Sequence, residues 1–142
     1  MQQSEAQQES RPTKFIDVVG AAIVRDGLVL CGQRGPGKSL AGFWEFPGGK
    51  IEAGETPREA LQREIEEELR CEIHVDQLVC SSEYDYDFGH VRLTTFICHL
   101  IDGTPHLTEH KEIRWVQPSR MPELNWAPVD ARAVELISAM KF

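Results

Sequence analysis

The alternation of apolar and polar positions begins at Phe15. Residues 15–25 and 28–33 form two β-type runs, and Asp26-Gly27 between them favours the two-residue turn of a tight hairpin. Residues 34–39 (RGPGKS) break the pattern and read as a loop. An aromatic strand follows at 43–46 and is stopped by Pro47-Gly48-Gly49; Lys50-Ile51-Glu52 resumes briefly before Gly54. There the period changes. Thr56 and Pro57 read as an N-cap and first helical residue, Glu59 completes a capping box, and the spacing predicts a helix over 58–69. Strands are expected over 73–84 and 90–101 about a turn at Asp87-Phe88-Gly89, with a short one over 112–116. An amphipathic helix over 129–140 closes the chain, with Ala133, Leu136, Ile137 and Met140 on one face. Many strands with two main helices predict an α+β domain rather than a regular βαβ array. Residues 1–13, rich in Gln, Glu and Ser, are expected to be a disordered tail, leaving 14–142 as the domain.

Size and charge narrow the function. The 142 residues fit one domain that can bury roughly two-thirds of its unfolded surface without a disulfide or structural metal. With 23 acidic against 15 basic residues the formal charge is −8, which argues against duplex nucleic acid or an anionic membrane as partner. A nucleotide stays possible, because a divalent cation can mediate between carboxylates and phosphates. The longest apolar run, residues 18–24, is too short to cross a bilayer, and the first residues lack the basic and apolar regions of a secretory signal. A cytoplasmic location is therefore expected. Cys31, Cys71, Cys80 and Cys98 form no CxxC pair and read as small hydrophobes in a reducing compartment. The five histidines show no ligand spacing and receive no role.

The acidity is concentrated. Between Glu52 and Glu68 seven glutamates face Arg58 and Arg63, so this stretch alone carries −5 of the −8. On a helix with about 100° per residue, Glu67 lies about 60° to one side of Glu64 and Glu68 about 40° to the other. The three carboxylates thus share a face, bordering the stripe of Leu61, Ile65 and Leu69. Like charges at these spacings repel by a few tenths of a kcal/mol per pair, more when partly buried. A divalent ion such as Mg²⁺, which prefers oxygen ligands, removes that penalty.

The spacing is more telling than the charge. Gly49, five residues, Glu55, seven residues, then Arg63-Glu64-Ile65-x-Glu67-Glu68 resembles the Nudix box, G-x5-E-x7-R-E-U-x-E-E-x-G-U with U aliphatic. Six fixed positions recur by chance in about one chain in 10⁵ of this length. Arg70 and Cys71 depart from the closing Gly-aliphatic pair, whose Gly would serve as a left-handed cap; the departure puts on the order of 1 kcal/mol of local stability, or the local turn, in question. Trp44-Glu45-Phe46-Pro47-Gly48-Gly49-Lys50 further resembles the strand and loop before the box in MutT-type nucleoside triphosphate pyrophosphohydrolases, and about residues 15–140 can be matched.

The resemblance implies an α/β/α sandwich around a central mixed β-sheet with a loop-helix-loop box. It implies Mg²⁺-dependent (or Mn²⁺-dependent) hydrolysis of a nucleoside triphosphate to monophosphate and pyrophosphate, by water attack at the β-phosphorus. Glu64, Glu67 and Glu68 would hold metal, one of them orienting the water, with Glu109 as a further ligand or base from a loop; Glu112 lies close enough to compete for that role. Arg63 would orient a glutamate of the cluster, supported by Glu55 behind it. Substrate would meet Arg34, Glu45, Gly48, Gly49, Lys50 and Asp130, with Lys50 suited equally to a phosphate or to a neighbouring glutamate. Asp130 also reads as a helix N-cap; over the base it would suit cytidine nucleotides or 8-oxo-dGTP, since a carboxylate accepts from an amino group and a carboxylic acid also donates. A Nudix hydrolase of another diphosphate such as ADP-ribose, a non-catalytic nucleotide sensor and a plain acidic interaction module are the alternatives. Neither monomer nor homodimer is favoured by the residues.

Overall fold

A turn with two left-handed residues, Asp26 (φ 52°) and Gly27 (φ 79°), joins the first two strands, β1 (Phe15–Arg25) and β2 (Leu28–Arg34), as the alternation requires. The computed structural model describes residues 14–142, so the tail expected at 1–13 lies outside the described residues. Further strands are β3 (Trp44–Glu45), β4 (Gly48–Lys50), β5 (Glu72–Tyr86), β6 (Gly89–Asp102) and β7 (His110–Val116). The α-helices among the described residues are α1 (Pro57–Leu69) and α2 (Ala131–Ser138).

The sheet is mixed. β1 and β6 run parallel over Phe15–Val24 and His90–His99, while β2, β4, β5 and β7 join by antiparallel pairings. A helix covers each face, which explains why β1 is buried on both sides from Val19 to Val24. Val19, Ala21 and Ile23 pack with Leu61, Ile65 and Leu69 of α1; Ala22 and Val24 pack with Ala133, Val134 and Ile137 of α2. Leu61, Ile65 and Leu69 are wholly enclosed, each contributing roughly 1.5–3 kcal/mol by burial.

Helix α1 forms where its sequence signals place it. Thr56 caps it, with the Thr56 and Glu59 side chains bonding each other's backbone N–H groups. At the other end Arg70 adopts the left-handed conformation (φ 59°, ψ 37°) that the missing glycine would have taken, and its N–H still reaches the Glu66 carbonyl. The turn survives; only the conformational penalty of a side chain is added.

Two expectations need correction. Gly48 and Gly49 do not merely end a strand: with Lys50 they are β4, paired to Val18–Gly20 of β1. The last helix begins at Ala131 rather than 129, because Pro128–Asp130 form a 3₁₀ turn; a second 3₁₀ turn spans Pro118–Glu123. Trp44 N–H donates to the Asn125 carbonyl and Ala127 N–H to the Trp44 carbonyl, so the segment before α2 is laced to β3. That lacing carries Asp130 to the middle of the molecule.

Candidate active site

A cavity of about 530 Å³ opens between β1, β4, α1, the β5–β6 hairpin and the segment before α2. One end is rich in carboxylates; the other is apolar, walled by Val18, Leu93 and Val129. Glycine makes the first end possible. A Cβ on Gly48 would lie 1.9 Å from the Val19 carbonyl oxygen, and one on Gly49 would lie 2.4 Å from the Glu64 carboxyl carbon. Glu64 therefore lies flat against β4 only because that strand has no side chain there.

Arg63 organises the helix face. Its guanidinium donates to both oxygens of Glu55 (2.6 and 2.9 Å), to Glu64 and Glu67 (3.2 Å each) and to the Lys50 carbonyl (3.0 Å). The Arg63 hydrogen bonds hold the Glu55 carboxyl below its ordinary range, and a bond from the Glu52 N–H adds to this. Glu67 is mostly exposed and stays outside the cavity wall, whereas Glu64 and Glu68 line it.

Glu68 is 5% exposed, and burial pushes its carboxyl up to about 8, aided by the nearby charges of Glu45, Glu109 and Glu64. Burial also raises Glu64. Across the cavity burial acts on Glu45 in the same sense, but hydrogen bonds and charge from His110 and Arg34 outweigh it and hold Glu45 below its ordinary value. Arg34 reaches Glu45 at 2.8 Å and donates to the Ser39 carbonyl at 2.6 Å. Glu109 lies at the rim, paired with Lys38 at 2.9 Å, while Glu112 bonds Arg114 away from the cavity. Lys50 lines the rim and has no carboxylate within ion-pair distance among the described residues.

At the apolar end Asp130 is 3% exposed and makes no cap bond to its own helix; its Oδ1 accepts from the Phe46 N–H at 3.3 Å. Asp130 thus takes the N-cap position that the sequence suggests but does not cap the helix: the backbone there is already in the 3₁₀ turn, and the side chain points inward. Burial raises its carboxyl well above the usual range, with Glu45 adding to the effect. Tyr86 accepts from the Val129 N–H at 3.0 Å and stacks on Phe88, so the hairpin tip forms a wall here.

The structure therefore gathers Arg34, Glu45, Gly48, Gly49, Lys50, Glu64, Glu68, Glu109 and Asp130 around one cavity, with Arg63, Glu55 and Glu67 at its edge. The box and every residue just named lie within a match to the NUDIX domain model over residues 18–136. The chain belongs to the Nudix hydrolase family. A putative 8-oxo-dGTP diphosphatase of Mycobacterium tuberculosis is 40% identical over 116 residues, 80% of this chain and 81% of that protein. The CTP pyrophosphohydrolase of Escherichia coli is 36% identical over 128 residues, 90% and 95% of the two chains. Among solved structures, a Nudix-family MutT protein of methicillin-resistant Staphylococcus aureus is 50% identical with a TM-score of 0.75, covering 89% of this chain and 98% of its own.

Nudix hydrolases generally use a divalent metal. Among the described residues no three His, Cys, Asp or Glu side chains converge in a metal-holding arrangement, since Glu64 and Glu67 turn to Arg63. The donor chemistry nevertheless fits such an ion: hard carboxylate oxygens of Glu64 and Glu68 face one cavity, and the neighbouring charges that push Glu68 up are those a cation would neutralise. Sequence reasoning missed His110, which is buried between Glu45 and Glu68, and Tyr86 and Phe88, whose aromatic alternation gave no sign of facing a ligand.

Proposed function

We propose that the chain hydrolyses nucleoside triphosphates of the 8-oxo-dGTP or (d)CTP type to the monophosphate and pyrophosphate, by water attack at the β-phosphorus. The observation that carries this reading is one cavity with a carboxylate cluster at one end and a buried carboxyl in an apolar pocket at the other. Such a cavity suits a ligand with a polyphosphate and a base. Its fit to the cytoplasmic nucleotide pool agrees with the acidic charge and with the absence, among the described residues, of any helix long and apolar enough to cross a membrane.

Glu64, Glu67 and Glu68, with Glu109, would hold Mg²⁺, or Mn²⁺ in its place. Bound there, the ion would neutralise developing phosphate charge and lower the pKa of water. Arg63 holds Glu64 and Glu67 by charge-assisted hydrogen bonds, and Glu55 holds Arg63. Lys38 and Lys50 offer cations to phosphate oxygens at the rim. Asp130, shifted toward its protonated form, donates as well as accepts at a base edge.

The test is a pyrophosphate-release panel in Mg²⁺ covering 8-oxo-dGTP, dGTP, dCTP, 5-methyl-dCTP, CTP, dUTP and ADP-ribose, repeated in ¹⁸O-water. Label in pyrophosphate is expected. Label in the monophosphate would place attack at the α-phosphorus, and preference for ADP-ribose would overturn the substrate assignment. Nucleotide binding without turnover at any divalent concentration would make the protein a sensor.

A further inference from the structure

His110 opens β7 at a bulge: Gln33 of β2 pairs with Glu112, yet Arg34 pairs with His110, leaving Lys111 unmatched. Bulges re-aim side chains, and here the ring enters the protein with its side chain only 3% exposed. Gly32 makes the room, since a Cβ there would lie 2.6 Å from ring carbon Cδ2. The two ring nitrogens face different carboxylates. Nε2 is 3.0 Å from Glu45 Oε2, in hydrogen-bond contact. Nδ1 is 3.3 Å from Glu68 Oε1 but lacks hydrogen-bond geometry to it, and stands as a buried polar atom without a hydrogen-bond partner among the described residues. Glu45 is held from its other side by Arg34. Arg34, Glu45 and His110 are thus hydrogen-bonded in series, and His110 Nδ1 ends the series facing Glu68 on the helix.

An imidazole buried merely to fill the core would not need a glycine opposite it, a bulge beneath it and a carboxylate at each nitrogen. We propose that His110 is a positioning residue, its Nε2 fixing Glu45 and its Nδ1 directing the Glu68 carboxylate into the cavity. This rests on the reading above, in which Glu68 belongs to the metal-holding group and Glu45 to the substrate side. The telling feature is Nδ1, which has no hydrogen-bond partner among the described residues and lies 3.3 Å from Glu68 Oε1, so the histidine is placed for the carboxylate's working orientation.

Two isosteres divide the two contacts. The amide nitrogen of asparagine reproduces Nδ1, and that of glutamine reproduces Nε2. The readouts are Mn²⁺ affinity of the nucleotide-free protein, by electron paramagnetic resonance, and KM for the fastest nucleotide of the panel. His110→Ala should weaken Mn²⁺ binding about tenfold, as loss of a group behind a ligand does, and raise KM. His110→Asn should restore Mn²⁺ affinity and leave KM raised; His110→Gln should restore KM and leave Mn²⁺ weak. Thermal melting confirms that each variant is folded, and Gly32→Ala, which pushes the ring from its place, should reproduce both defects. Wild-type Mn²⁺ affinity in folded His110→Ala, or asparagine and glutamine acting alike on both readouts, overturns the proposal while leaving the metal reading intact. A wild-type protein that binds no Mn²⁺ overturns both.

Discussion

The raised Glu68 carboxyl makes the stability of the metal-free protein pH-dependent in a direction opposite to that of an ordinary ion-paired acid. Its folded value is about 8 against an ordinary 4.5, so the folded state binds the proton more tightly than the unfolded chain does. Stability is therefore full below about pH 4.5, declines as pH rises from there, and levels off above about 8. At about 1.4 kcal/mol per tenfold change in proton affinity, the loss attributable to Glu68 reaches roughly 5 kcal/mol. The side chain is only 7% exposed, so solvent screening reduces this little. For a domain of this size that corresponds to roughly 15 °C in Tm. The assay is thermal melting in EDTA between pH 5 and 8.5, for the wild type and Glu68→Gln. The wild-type Tm should fall across this range, and the variant's should fall much less, so that the variant is the more stable protein at pH 8. Mg²⁺ should narrow the gap at pH 8 and do little at pH 5. Parallel traces for the two proteins would refute the reasoning, because they would mean that Glu68 does not enter the fold uncharged.

Other perturbations probe other parts of the site. Glu67→Gln should lower kcat by about 100-fold or more with little change in Tm, since this carboxylate is exposed and pairs, among the described residues, only with Arg63; near-wild-type turnover in Mg²⁺ would remove it from the metal-holding group. Asp130→Asn should change the ranking of nucleotides in the panel while leaving the Mg²⁺ requirement unaltered, and a uniform loss across all substrates would count against base recognition. Arg70→Gly should stabilise the protein by about 1 kcal/mol, or roughly 3 °C, by relieving the left-handed backbone at φ 59°; an unchanged or lower Tm would show that the Arg70 side chain compensates elsewhere.

What could be read from sequence was what short-range physics determines. The hairpin at Asp26-Gly27, the capping box at Thr56 and Glu59, and the carboxylate face of α1 all depend on neighbours within a few residues. The β4 strand was hidden because Gly48 and Gly49 have no side chains to pattern, and their partners Val18–Gly20 belong to the first strand. The start of α2 was misplaced because Pro128 opens a 3₁₀ turn as readily as an α-helix. Asp130 looked like a cap because its role is set by Phe46, 84 residues earlier in the chain. His110 was invisible for the same reason: Glu45 lies 65 residues away and Glu68 on another element, so no local spacing announces them. Gly32, its necessary neighbour, reads simply as a glycine inside a strand.

The distribution of charge partners distinguishes this cavity from a merely acidic surface. Glu45 has Arg34 and His110, Glu109 has Lys38, and Glu55, Glu64 and Glu67 share Arg63. Two buried carboxyls remain without a Lys or Arg in ion-pair contact among the described residues, Glu68 and Asp130, and burial raises both. Both line the same cavity. A fold selected for stability alone would replace either with an apolar side chain, because an unpaired buried carboxyl is destabilising. Retaining both makes sense if each meets its partner only when a ligand is bound, a cation at Glu68 and a base edge at Asp130. An acidic interaction module needs neither, and a sensor that only grips the base needs only Asp130. Hydrolysis of a nucleotide polyphosphate is the activity that requires both at once.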